Sequence, residues 1–354
     1  MSRKRSVVYI CNMNKKGILV VNLGTPNSPK TSDVRVYLKQ FLLDKRVIDV
    51  PYILRQLLVR LIIAPFRAPK SAKTYREIWS DTTGSPLKHW TQTAVDLLQK
   101  KVPDNYIVEM AMRYQNPSIE KGLQKLKMAL VDEIIILPMF PHYASASTGS
   151  VHEEVMRVVS SWLSIPNLRF ITDYYDHPKF IAAILNKSKD FDLTKFDHVL
   201  FSYHGLPVRH MRKQDVTKKH CQKVDNCCET LCEDNRFCYS AQCRVTTQKL
   251  VDALHLPKEK YSTCFQSRLG NDPWVKPYTI DVLKDLSKQG VKKILCFSPA
   301  FTADCLETVF EISEEYNEEF KEMGGESVTL VPSLNESEMW IECMLDLVIP
   351  NTNV

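Results

Sequence analysis

Six short, nearly continuous apolar runs recur along the chain, and stretches of helical length separate them. Several of these runs end in Gly, Pro or polar turns. Continuous apolar strands between helices are typical of a parallel sheet that is covered on both faces, so the pattern predicts a doubly wound α/β fold. The runs are GILVVNLGTP, NYIVEMAMRY, DEIIILPMFP, HVLFSYHGLP, KYSTCFQSR and KKILCFSPAF.

The runs fall into two similar sets. NYIVEMAMRYQNP and KYSTCFQSRLGNDP each lead into an arginine and then a proline, whereas DEIIILPMFPHYASAST and KKILCFSPAFTADCLET each pass through proline into a small-residue helix start. Two Rossmann-like domains with a cleft between them would explain this repetition, and chance similarity of buried strands is the alternative. We predict a first domain over residues 15–172, completed by 326–350, and a second over 173–325.

The segment from Tyr37 to Lys70 departs from this strand pattern. Its second half repeats Leu, Val and Ile at mixed helical spacing, with Arg55, Arg60 and Arg67 among them. A helix packed in the core is the ordinary outcome of such a pattern. The alternative is a helix with a partly exposed apolar face, which would form the lip of an apolar pocket or a peripheral contact with the inner membrane.

Length and composition indicate an ordinary globular protein. The 354 residues suffice for two domains with separate cores, and 44% hydrophobic with 25% charged residues argues against disorder. The net charge of +6 is modest, and the 47 basic residues are scattered among 41 acidic ones without interleaved aromatic residues. We therefore expect no nucleic-acid binding.

Targeting signals are weak at the sequence level. The N-terminal MSRKRSVVYICNMNKK has charge before a short apolar stretch, but Asn and Lys interrupt it and no small-residue cleavage site follows. No run of about eighteen apolar residues occurs. We expect a cytoplasmic protein, in which the eleven cysteines are core residues or metal ligands sooner than disulfides.

One histidine, His204, lies in FSYHGLP at the end of an apolar run and directly before Gly and Pro. In an alternating α/β chain, the carboxyl end of a strand is where a side chain can face a ligand. The position favours chemistry, although a loop histidine bonded within its own turn is the alternative.

A second candidate lies about a hundred residues later, in PAFTADCLETVFEI. Asp304 and Glu307 match a capping box, which would account for Glu307 structurally. Glu311 lies four residues further on the same helical face. Acidic residues continue down this helix, which suits either a solvated face or the attraction of a divalent cation through hard oxygen ligands; they are Glu314, Glu315, Glu318 and Glu319.

Six ordered segments together closely resemble the ferrochelatase family, from about Gly17 to the C-terminal region. Each segment alone is short, but their order makes the resemblance specific. They are NLGTP (22–26), RYQNP (113–117), PHYASASTGS (141–150), FSYHGLP (201–207), FQSRLGNDPW (265–274) and FTADCLETVFEI (301–312).

The resemblance implies a lyase of haem and porphyrin biosynthesis, which inserts Fe2+ into protoporphyrin IX to form protohaem between two chelatase-type domains. His204 matches the family's active-site histidine and Glu307 its catalytic carboxylate, with Glu311 behind it as a further metal-handling group. Metallation must remove two pyrrole N–H protons as iron enters, and a neutral imidazole can accept a proton or bind iron.

Further matched positions are implied to bind the porphyrin. Leu23 and Phe301 would touch the ring face, and Arg67, Tyr75 and Ser85 would hold its propionates, for which the arginine fork is well suited. Arg113 and Tyr114 also match. Position 305 departs from the animal pattern, because Cys305 stands where animal members carry a second histidine.

A cysteine-rich insert spans residues 220–243. Six of the eleven cysteines lie here among Lys, Asp, Asn and Glu, so core packing does not explain them. Close thiolates suit an iron–sulfur cluster or zinc. Some bacterial ferrochelatases carry a similar internal segment, so the resemblance favours a [2Fe–2S] cluster, with zinc, disulfides and free thiols as alternatives. The candidate ligands are Cys221, Cys228, Cys232, Cys238 and Cys243.

Other functions remain open at this point. A relative acting on coproporphyrin III, or preferring cobalt, would share the same motifs. A non-catalytic tetrapyrrole or metal carrier would keep the pocket without needing His204 and Glu307. A nucleotide-binding oxidoreductase is disfavoured. The segment after the first predicted strand is NLGTPNSP, which lacks the G-x-G-x-x-G motif of dinucleotide-binding folds. The sequence indicates no oligomeric state.

Overall fold

The computed structural model describes residues 14–268, 270 and 272–349. Leu269 and Asn271 of the FQSRLGNDPW segment, and Pro350 of the predicted segment 326–350, lie outside the described residues. The strands are β1 (Lys16–Gly24), β2 (Tyr106–Tyr114), β3 (Glu133–Pro138), β4 (Asn167–Phe170), β5 (His198–His204), β6 (Tyr261–Gln266), β7 (Lys293–Phe297) and β8 (Ser327–Leu330).

These strands form two four-stranded sheets with the same internal order. The first sheet runs β2-β1-β3-β4 and the second runs β6-β5-β7-β8, and every pairing within them is parallel. The predicted α/β class with two parallel sheets is confirmed, and the identical order accounts for the repeated sequence pattern. In each sheet the chain reverses its direction of winding beside the first strand, which creates a crevice at the carboxyl ends.

Two edge strands, β4 and β8, were not among the six predicted runs. Each is only four residues long. Most of their residues are partly exposed, so they lack the continuous apolar run that marks a buried central strand.

Helices cover both faces of each sheet. The α-helices are α1 (Thr31–Leu42), α2 (Tyr52–Leu57), α3 (Ala64–Ile78), α4 (Pro86–Lys101), α5 (Ile119–Met128), α6 (Ser150–Val159), α7 (Pro178–Lys187), α8 (Val208–Gln214), α9 (Tyr239–Leu254), α10 (Thr279–Lys288), α11 (Asn317–Glu322) and α12 (Glu338–Val348). Wider π-helical turns occupy Leu58–Ile63, Ser145–Gly149 and Glu307–Tyr316, and short 3-10 turns occupy Leu193–Lys195, Glu233–Asn235 and Lys258–Lys260.

One apolar core joins the two sheets. It contains inward residues of β1, such as Val20, and of β5, such as Phe201, together with buried residues of α4, α7, α9 and α12, such as Trp340. The outer face of the first sheet packs on α5 and α6, and the outer face of the second packs on α10 and α11. The halves are therefore bound by continuous apolar burial, the main source of folding free energy.

The C-terminal segment divides its contacts between the halves. Strand β8 pairs with β7 in the second sheet, whereas α12 packs against α7 and α4. The predicted boundaries place 326–350 in the first domain. The boundaries 15–172, 173–325 and 326–350 stay a prediction, since the two halves share a core.

A fourth apolar cluster lies under α1 and α3, but the adjoining surface is open. Seven large apolar side chains between residues 52 and 66, which we call the lip, are each more than half exposed: Tyr52, Ile53, Leu54, Leu57, Leu61, Ile62 and Phe66. The expectation of a wholly buried helix here is wrong, because only small residues and Val59 of this stretch face inward, beside the buried Arg55. Within the described residues, no helix has the length and apolar character to cross a bilayer.

Candidate functional site

His204 is the last residue of β5, the central strand of the second sheet. Its neighbours are β6, where Gln266 is its register partner, and β7. Phe301 follows β7, and its ring meets the His204 ring edge-on with centroids 6.3 Å apart. His204 and Phe301 thus lie at the crevice where the strand order reverses, the usual ligand position in such sheets.

The surroundings keep the His204 imidazole neutral. Burial lowers the pKa of His204, the Glu307 carboxylate opposes this effect, and the Arg67 guanidinium adds to it. The net direction is downward from an ordinary value of 6.5. At neutral pH the imidazole is therefore unprotonated and can accept a proton.

Glu307 is not used as a helix cap. The Asp304 carboxylate instead accepts from Ser333 N at 3.2 Å and from Asn335 Nδ2 at 2.7 Å, both in the connection after β8. Thr308 Oγ1 accepts a hydrogen bond from the Cys305 backbone amide at 2.9 Å. The predicted capping box is replaced by these contacts. The Glu307 side chain, at the start of its π-helical turn, is instead hydrogen-bonded to the buried Cys305 thiol.

Glu311 lies one turn further along the helix, where polar side chains surround its carboxylate. Ser267 Oγ donates to Glu311 Oε2 at 2.6 Å, and the Tyr316 hydroxyl donates to Oε1 at 3.1 Å. Burial raises the pKa of Glu311 and nearby Glu307 adds to this, whereas the hydrogen bonds lower it, for a net value of about 7. A carboxyl group of this kind can take up and release a proton near neutrality.

Side chains from the first half reach the same place. Tyr75 on α3 is buried and its hydroxyl is hydrogen-bonded to that of Tyr37. Burial raises the pKa of Tyr75, and the Glu307 carboxylate raises it further. Leu23, at the end of β1, and Leu306 both pack against the apolar cluster that contains Tyr75. Glu307 therefore interacts with groups of both halves.

Two predicted propionate ligands differ in exposure. Arg67 on α3 is exposed, yet it interacts electrostatically with His204. Ser85 is only 3% exposed, and its hydroxyl accepts from Thr25 Oγ1 at 2.9 Å. Arg67 thus borders the site from the solvent side, whereas Ser85 is linked to the site through Thr25, which is also hydrogen-bonded to Tyr75.

Arg113 and Tyr114 end β2 and bind other protein groups. The Asp44 carboxylate accepts from Arg113 Nη2 at 2.8 Å, from the Tyr114 hydroxyl at 2.9 Å and from Ser150 Oγ at 2.5 Å. Arg113 Nε also donates to the Ser150 hydroxyl at 2.6 Å. Their role in substrate binding stays a prediction, because these polar atoms are engaged inside the protein.

The cysteine insert gathers some of its thiols. Cys228 Sγ lies 3.6 Å from Cys227 Sγ and 3.8 Å from Cys238 Sγ. Hydrogen bonding from Cys228 lowers the pKa of Cys238, which also accepts from backbone amides at the start of α9. Burial raises the pKa of Cys221 to about 11, with added effects from Cys227 and Cys228. Cys221, Cys227, Cys228 and Cys238, which we call the thiol group, therefore lie together.

The remaining two predicted ligands differ in position, and Cys243 interacts electrostatically with Cys228. Cys232 is exposed, whereas Cys243 on α9 is fully buried and hydrogen-bonded to Tyr239. All the cysteines in the described part of the chain are free thiols. Over the same residues, no three His, Cys, Asp or Glu side chains are arranged as a ready-made metal site.

Several functional candidates escaped the sequence analysis. Cys227 was left out of the ligand set although it is adjacent to Cys228, and Gln266 and Ser267 were quoted in a motif without a role. The useful signal was the position of FQS at the end of a strand in the second repeat, because the carboxyl ends of neighbouring parallel strands meet. Tyr37 and Tyr316 carried no comparable signal.

The sequence matches known proteins over almost its whole length. A family model described as ferrochelatase matches residues 15–352. A protein named ferrochelatase from Legionella pneumophila (strain Lens) is 41% identical over 342 residues, covering 94% of this chain and 98% of its own. Another of that name from Coxiella burnetii (strain Dugway 5J108-111) is 38% identical over 344 residues, covering 97% and 95%.

A solved structure supports the fold independently. The structure described as SirB from Bacillus subtilis with Fe3+ covers 94% of this chain and 94% of its own, with a TM-score of 0.51 and 15% identity. At this identity the likeness concerns the fold alone, and it agrees with two parallel sheets flanked by helices.

Proposed function

The chain belongs to the ferrochelatase family, and from that premise we propose that it inserts Fe2+ into protoporphyrin IX to form protohaem, the last step of haem synthesis. The observation that carries this proposal is the convergence of His204 and Glu307 at one crevice, with Phe301 against the imidazole and Tyr75 beside the carboxylate.

The site groups supply what metallation requires. As Fe2+ binds the four ring nitrogens, two N–H bonds break and two protons must leave. The neutral His204 imidazole can take one proton, and the Glu307 and Glu311 carboxylates offer further acceptors along one helix face. These carboxylates also suit transient binding of the incoming iron, which is a substrate here.

The porphyrin contacts follow from the same arrangement. We propose that Leu23 and Phe301 touch the ring face and that Arg67, with Tyr75 and Ser85 nearby, binds the propionate side. Arg67 fits this role because its exposed guanidinium borders the crevice and can bind a carboxylate through two parallel hydrogen bonds.

An anaerobic assay tests the function and the substrate together. Purified protein receives Fe2+ with protoporphyrin IX or, separately, coproporphyrin III, and haem formation is followed by absorbance. We expect turnover with protoporphyrin IX and a clearly lower kcat/KM with coproporphyrin III. The reverse preference would reassign the substrate, and no turnover with either would contradict the function.

We further propose that the lip rests on the cytoplasmic surface of the inner membrane. Its seven exposed apolar side chains form a patch of the kind that marks a membrane or protein contact, and exposed cations lie beside it at Arg60, Arg67 and Lys70. Protoporphyrin and haem are poorly soluble in water, so an apolar entrance suits this substrate and product.

Vesicle flotation tests the membrane contact. The double variant Ile53→Ser, Phe66→Ser should lose binding to vesicles of phosphatidylglycerol and phosphatidylethanolamine. Leu163→Ser is the matched control, since Leu163 is fully exposed outside the lip and should bind as the unaltered protein does. Equal flotation of all three proteins would contradict the proposal.

The thiol group is proposed to hold a [2Fe–2S] cluster. Metal–sulfur bonds near 2.3 Å at a tetrahedral centre place two sulfurs on the same metal about 3.8 Å apart. Each iron of a [2Fe–2S] cluster takes two thiolates, and Cys228 lies within that range of either Cys227, at 3.6 Å, or Cys238, at 3.8 Å. We therefore favour Cys221, Cys227, Cys228 and Cys238 as ligands. When bound, such a cluster supplies one-electron redox chemistry and a covalent tie across the insert.

Spectroscopy of anaerobically purified protein tests the cluster. We expect visible absorption, an EPR signal after reduction and about two irons per chain, all lost in Cys227→Ser and retained in Cys232→Ser. Zinc in place of iron would change the metal but keep the ligands. The absence of any metal from carefully handled protein would overturn the proposal.

A further inference from the structure

The buried side-chain amide of Gln266 connects the two elements that carry the candidate catalytic groups. Gln266 is only 1% exposed and ends β6. Its Oε1 accepts from Ser202 Oγ on β5 at 2.7 Å. Its Nε2 lies 3.3 Å from the Glu307 carbonyl oxygen and 3.4 Å from Glu311 Oε2. One amide therefore touches the strand of His204 and the helical turn of both glutamates.

The backbone of Gln266 also fixes the turn after His204. Gly205 N donates to the Gln266 carbonyl oxygen at 2.9 Å. A Cβ atom at position 205 would lie 2.7 Å from that oxygen and 3.1 Å from the Trp274 ring, so only glycine permits this approach. The His204 main chain is thus held by Gln266 as its register partner and by the Gly205 hydrogen bond beyond it.

A fully engaged buried amide is a strong geometric constraint. Rotation of the Gln266 side chain would break its bonds to Ser202 and to the Glu307 carbonyl and leave the buried amide unpaired, which is energetically costly. The network therefore resists relative movement of β5 against the Glu307–Tyr316 turn. The rate of metal insertion should depend on the separation between His204 and the two glutamates, because a misplacement of catalytic groups by about 1 Å can lower a rate roughly a hundredfold.

We propose that Gln266 is a positioning residue for metal insertion, which sets the separation between His204 and the Glu307 and Glu311 carboxylates. The inference rests on the proposed function, since it assigns a role within that reaction. It predicts a loss in kcat without a matching loss in porphyrin binding, because Gln266 is buried behind the crevice.

The chain offers a matched control for a purely structural role. At the opposite end of the same strand pair, His198 Nε2 and Ser262 Oγ form a hydrogen bond of 2.9 Å between β5 and β6. Ser262→Ala deletes this tie without touching the glutamates. If cross-strand hydrogen bonds matter only for folding, Ser262 and Gln266 variants should behave alike.

The test compares kcat, the KM for protoporphyrin IX and the thermal midpoint of each protein. Gln266→Met preserves volume without the amide, and Gln266→Glu preserves the acceptor for Ser202 but removes the donor to the helix. We expect kcat to fall roughly a hundredfold in both, with KM changed less than about threefold and Ser262→Ala near the unaltered rate.

Each result decides the proposal. Folded Gln266 variants with unchanged kcat would overturn it, as would equal losses in Ser262→Ala. If neither Gln266 variant folds, Ser202→Ala should still lower kcat, because it removes the Gln266 bond to β5 together with the Ser202–Thr279 contact. Thr279→Val, which removes the Thr279 contact and keeps the Gln266 bond, should leave kcat near the unaltered rate. Normal kcat in Ser202→Ala would overturn the proposal. Failure of the unaltered protein to insert iron would instead contradict the proposed function.

Discussion

At the scale of single residues, the ion pair with Asp44 indicates whether Arg113 stabilises the fold or binds substrate. The Asp44 side chain is 6% exposed and the Arg113 side chain 19%, and the pair shares its hydrogen bonds with Tyr114 and Ser150. Removing one partner of a buried ion pair leaves the other charge uncompensated. These contacts favour a structural role for Arg113 over the substrate contact that its motif suggested.

Replacing Arg113 tests that distinction. We expect Arg113→Met to lower the free energy of unfolding by about 3 kcal/mol while the KM for porphyrin stays near its original value. Arg157→Met is the control, because the Arg157–Glu154 pair lies on the surface and should contribute under about 1 kcal/mol. A large rise in KM with unchanged stability would restore the substrate role.

The sequence found catalytic candidates where local spacing carried the information. His204 ends an apolar run and Glu307 lies shortly after another, so the hydrophobic pattern of the sequence was enough to predict that both lie near strand ends. Gln266 and Cys227 acquire their candidate roles from partners in other segments, Gln266 from Ser202 and Glu307 in particular. No local rule predicts such tertiary contacts.

At the scale of elements, a cluster of charges ties the segment between α1 and α2 to α8. Asp49 accepts from Arg209 Nε at 2.5 Å and from Lys213 Nζ at 2.7 Å, and His210 Nε2 lies 3.4 Å away. Burial alone would raise the pKa of Asp49, but Lys213, Arg209 and His210 more than offset it, so the pKa lies well below its ordinary 3.8. This contact anchors the base of the lip to the second half.

The depressed pKa of Asp49 predicts a defined pH dependence. A carboxylate of this kind stabilises the fold fully above its unfolded pKa and loses the contribution as pH falls through the folded value. Asp49→Asn should therefore lower unfolding free energy by roughly 1 to 2 kcal/mol at pH 5 to 7, with the difference narrowing below 3.8.

Thermal unfolding across pH checks this expectation. Asp272→Asn is the control, because Asp272 is exposed and pairs with the same Arg209; it should have a small effect at every pH. A difference between Asp49→Asn and the unaltered protein that persists unchanged to pH 3 would contradict the assignment.

Helical periodicity did not reveal which side of the lip faces outward. The spacing of Leu, Val and Ile in 52–66 suits a buried helix as well as an exposed one, and small residues such as Ala64 and Ala68 carry the packing instead. Which side of this segment is exposed depends on the packing of α3 against α1 and on the π-helical turn before α3. Both are tertiary effects.

At the scale of the whole molecule, the strand pattern was enough to predict the α/β class, since buried parallel strands must read as continuous apolar runs. It did not give the edge strands or the shared core. Two buried hydrogen bonds also cross between the halves: His142 Nε2 pairs with Thr246 Oγ1 at 2.9 Å, and Gln242 Oε1 accepts from Tyr143 N at 2.7 Å.

The central claim is that His204 and Glu307 act together on one bound porphyrin. The most direct measurement is single-turnover metallation by His204→Ala and Glu307→Gln, with porphyrin affinity measured on the same samples. Glu315→Gln, exposed on the same helical turn, is the matched control. We predict rates lower by roughly 10² to 10⁴ in the first two variants, with affinity within about threefold and normal metallation in the control. Near-normal metallation by either site variant would contradict the account.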